Sequence, residues 1–271
     1  MSPLWRDEIG IYIAPHKLAL TRMGRGLRPK LVCEAGWTND FHGDVHWNAA
    51  LAALDRFLSL PEWKNAVVRV VLADNWVRYA VVNYSDSLTS EAERLAQARH
   101  VLTAIFGEVV SQWTIRLSDN APGSNQVACG LPSALIEELG LVLARHKLPV
   151  LSMCPQLVAA YNHWRDRLPD GGAWFVSLEQ GTLAAARLVP GGWDRVHSVR
   201  IGVDWPVELR RLQTFGRLAS SAALEGRVYV DAPAGLSDAA GISGADLVWL
   251  VEGTSTESTN GKLEFLRRHQ A

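Results

Sequence analysis

Three things are scarce in this sequence: net charge, long hydrophobic runs and clustered cysteines. The 27 Lys and Arg residues nearly balance the 28 Asp and Glu residues, so the formal charge is −1. This balance excludes a protein that binds nucleic acid mainly by electrostatic attraction. No stretch approaches the roughly 18 apolar residues of a membrane-spanning helix, and acidic residues near the start are unlike a signal peptide. We therefore expect a cytoplasmic protein that does not insert directly into a membrane.

The three cysteines, Cys33, Cys129 and Cys154, are widely separated and lie mostly in apolar runs. An odd and scattered set forms neither a disulfide framework nor a CxxC metal site, so we expect small core residues. The 271 residues are 48% hydrophobic and 20% charged. A chain of this length and composition buries a large core, which excludes bulk disorder.

The order of predicted elements repeats after a Pro-Asp-Gly-Gly linker at residues 169–172. Each half begins with three β-prone runs that form a meander, followed by a helix and further strands. In the first half these are strands at 9–13, 18–23 and 31–37, a helix at 47–60 and a buried strand at 67–73. In the second half they are strands at 174–178, 182–189 and 194–201, a helix at 206–220, strands at 228–231 and 247–251, and a short terminal helix at 262–268. The strands at 9–13 and 174–178 should therefore occupy equivalent central positions in two separate sheets.

Between these meanders lies a further group of elements. A strand at 77–84 is a candidate to pair with the strand at 67–73, and a helix at 90–106 begins with the capping box Ser90 and Glu93. The remaining predictions are strands at 112–117 and 126–131, a helix at 133–146 with Ser133 as its N-cap, a strand at 148–153 and a helix from 155 to 168.

Residues 127–162 carry a resemblance to a known family. The sequence reads Val-Ala-Cys-Gly-Leu-Pro-Ser-Ala-Leu-Ile from Val127, Lys-Leu-Pro-Val-Leu-Ser-Met from Lys147, and Pro-Gln-Leu-Val-Ala-Ala-Tyr-Asn from Pro155. It resembles the end of the first lobe in type IV pilus assembly proteins of PilM type and in the cytoplasmic domain of type II secretion platform proteins of GspL type. The resemblance implies an α/β protein with a two-lobed actin-like fold, which is a duplicated RNase H-like unit. The first lobe would span 1–168, with a small accessory subdomain at about 77–117, and a shortened second lobe would span 169–271.

The same resemblance implies where nucleotide chemistry would lie. Actin-like ATPases place a carboxylate at the end of the first strand of each half, followed by a Gly/Ser/Thr turn, to hold Mg²⁺ and phosphate. Here Tyr12 and Ser177 stand at those positions, and Pro15 removes an N–H group from the first turn. The residues left for a residual nucleotide cleft are Tyr12, Lys17, Ser177, Glu179, Gly181, Thr182, Asp231 and Gly235.

These degenerate loops favour a scaffold over an efficient ATPase. We expect a non-catalytic adaptor of a type IV pilus or type II secretion-like inner-membrane assembly, without a cofactor. Its partner would be the cytoplasmic segment of an inner-membrane protein, which would keep the chain peripheral to that membrane. The strands at 77–84 and 112–117 would present a sheet edge to this segment, flanked by the helix at 90–106. The alternative is that these elements simply complete the first lobe.

Two other functions stay open. One is an active ATPase or small kinase of the same fold, which would bind ATP and Mg²⁺ through Glu8, Glu179 and the turn at Gly181 and Thr182. The other is a domain that senses a small ligand in the cleft between the lobes.

Two clusters have both a functional and a simpler interpretation. Asp40, His42, Asp44 and His46 alternate along the chain as metal ligands would, although a capping role for Asp44 with solvated histidines is favoured. The basic residues Arg22, Arg25, Arg28 and Lys30 would suit phospholipid head groups or an acidic partner, although a solvated turn is favoured.

Overall fold

The computed structural model describes residues 6–24, 26, 30–39, 46–119, 123–202, 205–218, 227–233 and 247–250. These residues form two compact units. The first unit contains the residues up to 75 and residues 134–159, and the second contains residues 76–133 and 160–251. The lobe boundary expected near residue 168 stays a prediction, and the predicted terminal helix lies outside the described residues.

The helices and strands follow the predicted order closely. In chain order they are β1 (Asp7–Ala14), β2 (Lys17–Met23), β3 (Leu31–Thr38), α1 (Asn48–Ser59), β4 (Ala66–Leu72), β5 (Arg78–Val82), α2 (Glu91–Phe106), β6 (Trp113–Leu117), β7 (Gln126–Pro132), α3 (Ser133–Arg145), β8 (Val150–Pro155), α4 (Gln156–Trp164), β9 (Ala173–Glu179), β10 (Thr182–Val189), β11 (Gly192–Arg200), α5 (Trp205–Leu218), β12 (Val228–Asp231) and β13 (Leu247–Trp249). Short 3₁₀ turns lie at Pro61–Trp63, Asp74–Trp76, Gly107–Gln112 and Arg165–Arg167.

The first unit is built on a five-stranded sheet in the order β3-β2-β1-β4-β8. β1 pairs antiparallel with β2 and parallel with β4, so it occupies the centre of the sheet. β1 and β4 are buried along most of their length, and strands buried on both faces carry near-continuous apolar runs. Asp55 of α1 ties this helix to the end of α3, because its carboxylate lies 2.9 Å from Arg145 Nη1 and 2.8 Å from His146 Nε2.

The second unit repeats this order as β11-β10-β9-β12-β13. β9 is buried along its whole length and again pairs antiparallel with one neighbour and parallel with the other. The prediction that the two halves repeat is therefore confirmed, since β1 and β9 hold equivalent central positions in separate sheets. One face of the second sheet packs a core that includes Trp174, Leu183, Trp205, Leu209 and Val230.

A separate three-stranded antiparallel sheet in the order β5-β7-β6 belongs to the second unit. Helix α2 packs on it through Ala98 and Leu102, which meet Ala80 and Ile115 of the sheet in one buried cluster. The predicted pairing of the strand at 77–84 with the strand at 67–73 is wrong. β4 already has β1 on one side and β8 on the other, so its hydrogen-bonding groups are used and β5 pairs with β7 instead.

Helix α2 begins as the sequence predicted. Ser90 Oγ accepts a hydrogen bond from the Glu93 N–H at 3.2 Å, and the Glu93 carboxylate accepts one from the Ser90 N–H at 2.9 Å. Ser133 is instead the first residue of α3, and its hydroxyl lies 3.0 Å from Thr114 Oγ1. Within the described ranges, no helix combines the length and the apolar character needed to cross a bilayer.

Candidate functional site

The register of the two central hairpins shows which positions correspond. Ala14 is the last residue of β1 before the turn to β2, and Glu179 is the last residue of β9 before the turn to β10. Counting back two residues places Tyr12 and Ser177 at equivalent positions. Each side chain lies beside a parallel neighbour, Val71 for Tyr12 and Asp231 for Ser177. These strand ends are where the sequence placed the candidate site.

In the first unit, the end of β1 lies in an apolar cluster, and a buried carboxylate, Asp74, follows β4. Tyr12 is only 3% exposed and lies in a buried cluster made of small and apolar side chains. Its other members are Ala14, Ala19, Val71, Ala73 and Ala159, with Cys154 packed against it. Beside this cluster, the buried Asp74 carboxylate accepts a hydrogen bond from the Leu157 N–H at 3.0 Å.

Lys17 follows the first turn and is half-buried. Burial disfavours its charged form and lowers the pKa of its ammonium group from 10.5 to about 8. Part of the population is therefore neutral just above physiological pH. Cys154 shows the opposite effect, because burial raises the pKa of its thiol to about 11, and the charge of Asp74 adds to this. That thiol stays protonated, in agreement with a structural role.

In the second unit, the corresponding strand ends are polar and buried. Ser177, Glu179, Thr182 and Asp231 are between 1% and 4% exposed. Glu179 pairs with Thr182 across the hairpin and Ser177 with Asp231 across the parallel pair, and residues two apart on a strand share a face. The four side chains therefore lie on one face of the sheet. The structure thus brings together four of the predicted site residues within the second unit, whereas Tyr12 and Lys17 belong to the first unit.

Helix α4 covers this polar face with aromatic side chains. The Trp164 indole N–H donates to Asp231 Oδ1 at 3.0 Å, and both residues are buried. The ring of Tyr161 packs edge-on against Phe175 and Trp193. The Ser177 hydroxyl is also buried, and among the described residues it has no hydrogen-bond partner. The hydrogen bond between Trp164 and Asp231 was not predicted, since 67 positions separate the two residues and no local sequence pattern connects them.

Of the remaining predicted residues, Gly181 lies in the turn between β9 and β10. Gly181 has φ of +83°, a left-handed conformation that favours glycine, and its carbonyl accepts a hydrogen bond from the Ile201 N–H at 3.0 Å. Gly235 lies outside the described residues. Glu8 belongs to the opposite end of β1 from the turn, and its carboxylate lies 2.9 Å from Arg69 Nε. Glu8 therefore forms an ion pair with Arg69 at the end of β1 that lies away from Tyr12.

The two further clusters are only partly described. Asp40, His42 and Asp44 lie outside the described residues, and the ring of His46 stacks on Trp47. Across the described ranges, no three His, Cys, Asp or Glu side chains come close enough to share a metal ion.

The basic cluster of the second hairpin includes Arg25 and Arg28, which lie outside the described residues. Arg22 is engaged within its own unit, where Nη2 lies 2.7 Å from Asp7 Oδ2 and Nη1 donates to the Lys64 carbonyl at 3.1 Å.

The three-stranded sheet has one edge that is open among the described residues. β5 lies alongside β11, whereas β6 pairs with β7 alone. The Ser118 N–H donates to the Val127 carbonyl at 2.9 Å, and Val127 lies opposite Ser118 in the β6–β7 ladder. Because bonded and non-bonded residues alternate in an antiparallel pair, Ile115 and Leu117 direct their N–H and C=O groups away from β7. Arg116 Nη1 donates to the Ile115 carbonyl at 3.3 Å, so one group of this edge is partly covered.

Compared by sequence, the chain matches no family model and no curated protein. Its structure is similar to that of PilM in a PilM–PilN type IV pilus biogenesis complex, with a TM-score of 0.63, 15% identity and coverage of 90% of this chain and 88% of that chain. It is also similar to a Bacteroides thetaiotaomicron protein of unknown function with an actin-like ATPase fold, with a TM-score of 0.61, 10% identity and coverage of 97% and 96%. A third similar structure is the cytoplasmic domain of EpsL, an inner-membrane component of the Vibrio cholerae type II secretion system, with a TM-score of 0.57, 8% identity and coverage of 83% and 81%. The chain therefore has an actin-like α/β fold that resembles those of PilM and the EpsL cytoplasmic domain.

Proposed function

We propose that this chain is a non-catalytic cytoplasmic adaptor of a type IV pilus or type II secretion-like inner-membrane assembly. In this proposal it binds an extended cytoplasmic segment of a membrane-anchored protein along β6. The observation that carries the proposal is the open edge of β6, where Ile115 and Leu117 point backbone groups away from the sheet. An added strand gains main-chain hydrogen bonds at such an edge, which makes it a recurrent site for peptide recognition.

Helix α2 supports the same interpretation. Most of its residues are exposed, and only Ala98 and Leu102 are buried. Ile105 of this helix and Val109 of the turn that leads into β6 leave 58% and 46% of their surface exposed. These two side chains offer apolar surface to a partner.

The structural comparisons support the class of partner. One similar structure is a complex of PilM with PilN, and another is the cytoplasmic domain of an inner-membrane secretion component. Since the identities are 15% and 8%, the likeness concerns the fold, and the partner of this chain is part of the proposal.

The end of β1 in the first unit supports the absence of catalysis. Tyr12 stands where the resemblance to actin-like ATPases implies a carboxylate that holds a hydrated Mg²⁺, and its side chain lies in an apolar cluster. Hydrolysis of a phosphoanhydride depends on such charge stabilisation and positioning. We therefore expect no more ATP hydrolysis from the purified chain than from a heat-treated sample.

Membrane recovery tests the adaptor role. We expect the chain to sediment with inner membranes that contain a bitopic pilus or secretion protein and to stay in the supernatant when that protein is absent. The variant Leu117→Pro removes one N–H group that faces away from β7, a position where an edge strand tolerates proline. It should lose recovery with membranes.

Leu117→Ala is the matched control, since it shortens the same side chain but keeps the N–H group. It should be recovered about as well as the wild type if backbone pairing carries the binding. Equal loss in both variants would contradict strand addition at β6. Recovery with protein-free lipid vesicles at physiological salt would contradict the need for a protein partner and would point to the basic residues near Arg22 and Lys30.

A second candidate function, an active ATPase or small kinase, is favoured by one observation. The buried face at Ser177, Glu179, Thr182 and Asp231 keeps four oxygen-bearing side chains at strand ends, whereas Tyr12 at the equivalent position of the first unit lies in an apolar cluster. A ligand present at 100 times its Kd adds about 2.7 kcal/mol of stability, so a thermal shift with Mg-ATP separates the two proposals. ATP turnover that disappears in Glu179→Gln would establish the enzyme and reject the scaffold.

A further inference from the structure

A cavity of about 550 Å³ lies at one end of the three-stranded sheet. It is bounded by the loop after β5, the start of α2 and the turn between β6 and β7. Its lining includes Val82, Tyr84, Asp86, Leu88, Arg94 and Asp119. It is far larger than a single water molecule needs, so a side chain from another molecule fits within it.

The wall of this cavity is held by its own hydrogen bonds. The Tyr84 phenol donates to Asp86 Oδ1 at 2.6 Å, and the Tyr84 N–H donates to Asn125 Oδ1 at 3.0 Å. The Asp86 carboxylate raises the pKa of the Tyr84 phenol, which therefore keeps its proton. The carboxylate is thus held in place before any ligand arrives, which reduces the entropy lost on binding.

The charges of the lining favour a cation. Asp86 and Asp119 contribute two negative charges and Arg94 one positive charge. In the capping box at the start of α2, the N–H groups of Ser90 and Glu93 already have side-chain acceptors. A guanidinium or ammonium group that enters would find two carboxylates, the carbonyl and hydroxyl oxygens of the loops, and the apolar side chains of Val82 and Leu88 for its aliphatic stem.

The cavity continues the line of β6. Asp119 follows Leu117 by two residues, which corresponds to about 7 Å along an extended strand. A segment paired with β6 and continuing past Leu117 would therefore run past Asp119, which lines the cavity, within the reach of a long side chain. Cytoplasmic segments next to a membrane anchor carry an excess of Lys and Arg, which matches the sign of the lining.

We propose that this cavity binds a Lys or Arg side chain of the membrane protein segment that β6 holds. This inference rests on the proposed function and names the residue type that the site selects. Asp119 and Asp86 are the specificity residues in it, and Arg94 disfavours segments with acidic side chains at the same position.

The test uses the full-length chain labelled with ¹⁵N and two small probes, acetyl-arginine amide and acetyl-glutamate amide, at equal ionic strength. Acetyl-arginine amide should cause saturable chemical-shift changes at the amides of Gly123, Ser124 and Gln126. Asp119→Asn should weaken its affinity about threefold or more, as expected for loss of one partly exposed charge pair. The same spectra show whether Asp119→Asn is folded. If this variant is unfolded, the measurement uses Asp86→Asn instead.

Glu91→Gln is the matched control, since it removes an exposed carboxylate on α2 that does not line the cavity. It should leave the affinity unchanged. Absence of a saturable shift, or equal affinity for acetyl-glutamate amide, would overturn the inference while leaving the β6 result with Leu117→Pro intact. Binding of the arginine probe without membrane recovery of the chain would overturn the proposed function and with it the occupant named here.

Discussion

Replacing Ser177 by alanine should stabilise the second unit. The Ser177 side chain is 1% exposed, and its hydroxyl has no hydrogen-bond partner among the described residues. A buried hydroxyl without a partner has lost its bonds to water and gained none in return. Alanine keeps the backbone and the Cβ atom and removes only the oxygen.

The size of the effect follows from two opposing terms. An unsatisfied buried polar group costs about 1–3 kcal/mol of folding free energy, and the substitution removes that cost. The oxygen leaves a void on the order of 10 Å³, which at about 24 cal/mol per Å³ destabilises by only about 0.2 kcal/mol. The net stabilisation should be about 1 kcal/mol or more, which corresponds to a rise in Tm of about 2–4 °C.

Thermal unfolding followed by near-ultraviolet circular dichroism measures the change in Tm, and amide hydrogen exchange within β9 locates it in the second unit. Ser198→Ala is the control, because this β11 serine is only partly buried and its hydroxyl can reach water. It should leave Tm nearly unchanged. An unchanged or lowered Tm for Ser177→Ala would refute the reasoning, since it would mean that the hydroxyl has a partner in solution. If Ser177→Ala had a lower Tm than the wild type and Mg-ATP increased this difference in Tm, the result would support the nucleotide-binding alternative.

Other predictions follow from single contacts. Gly130→Ala should destabilise the chain by about 1–3 kcal/mol in urea unfolding, because the added Cβ would lie 2.6 Å from Trp113 Cε3. Gly140→Ala in α3 is the control. Its added Cβ has no atom within 4 Å, so this variant should be more stable than the wild type by up to about 1 kcal/mol. A Gly130→Ala variant as stable as the wild type would contradict this packing. Ser90→Ala should cost about 1 kcal/mol in the same assay by removing the N-cap of α2, whereas no loss would show that the cap is dispensable. His146 and Arg145 lower the pKa of the Asp55 carboxyl, so Asp55→Asn should be less stable than the wild type at neutral pH. This difference in stability should shrink as the pH falls below 3.8 towards the lowered pKa. A difference that is the same at every pH would argue against the ion pair.

Much of the fold could be predicted because its signals are local. The meander of β1, β2 and β3 and its repetition as β9, β10 and β11 follow from short β-prone runs separated by turn residues. The capping box of α2 is formed by residues three positions apart, so the sequence alone specifies it. The apolar character of β1 and β9 also predicts their central positions.

The pairing of β5 could not be predicted in the same way. Its sequence suits a strand, but a strand's partner depends on which neighbouring edges are already occupied. β8 occupies the remaining edge of β4, although about eighty residues separate these two strands. This long-range pairing leaves β5 to join β7 and β6.

The candidate site likewise combines features that depend on local sequence with features that depend on long-range contacts. The sequence by itself predicted equivalent positions for Tyr12 and Ser177 near the ends of two strands, because position within a hairpin is set by local register. Only the tertiary structure decided that Tyr12 lies in an apolar cluster whereas Ser177 shares a buried face with Glu179 and Asp231. The same holds for the Trp164 indole on Asp231 and for the open edge of β6. These features depend on contacts between residues far apart in the chain, and burial in three dimensions sets the energetic value of each polar group.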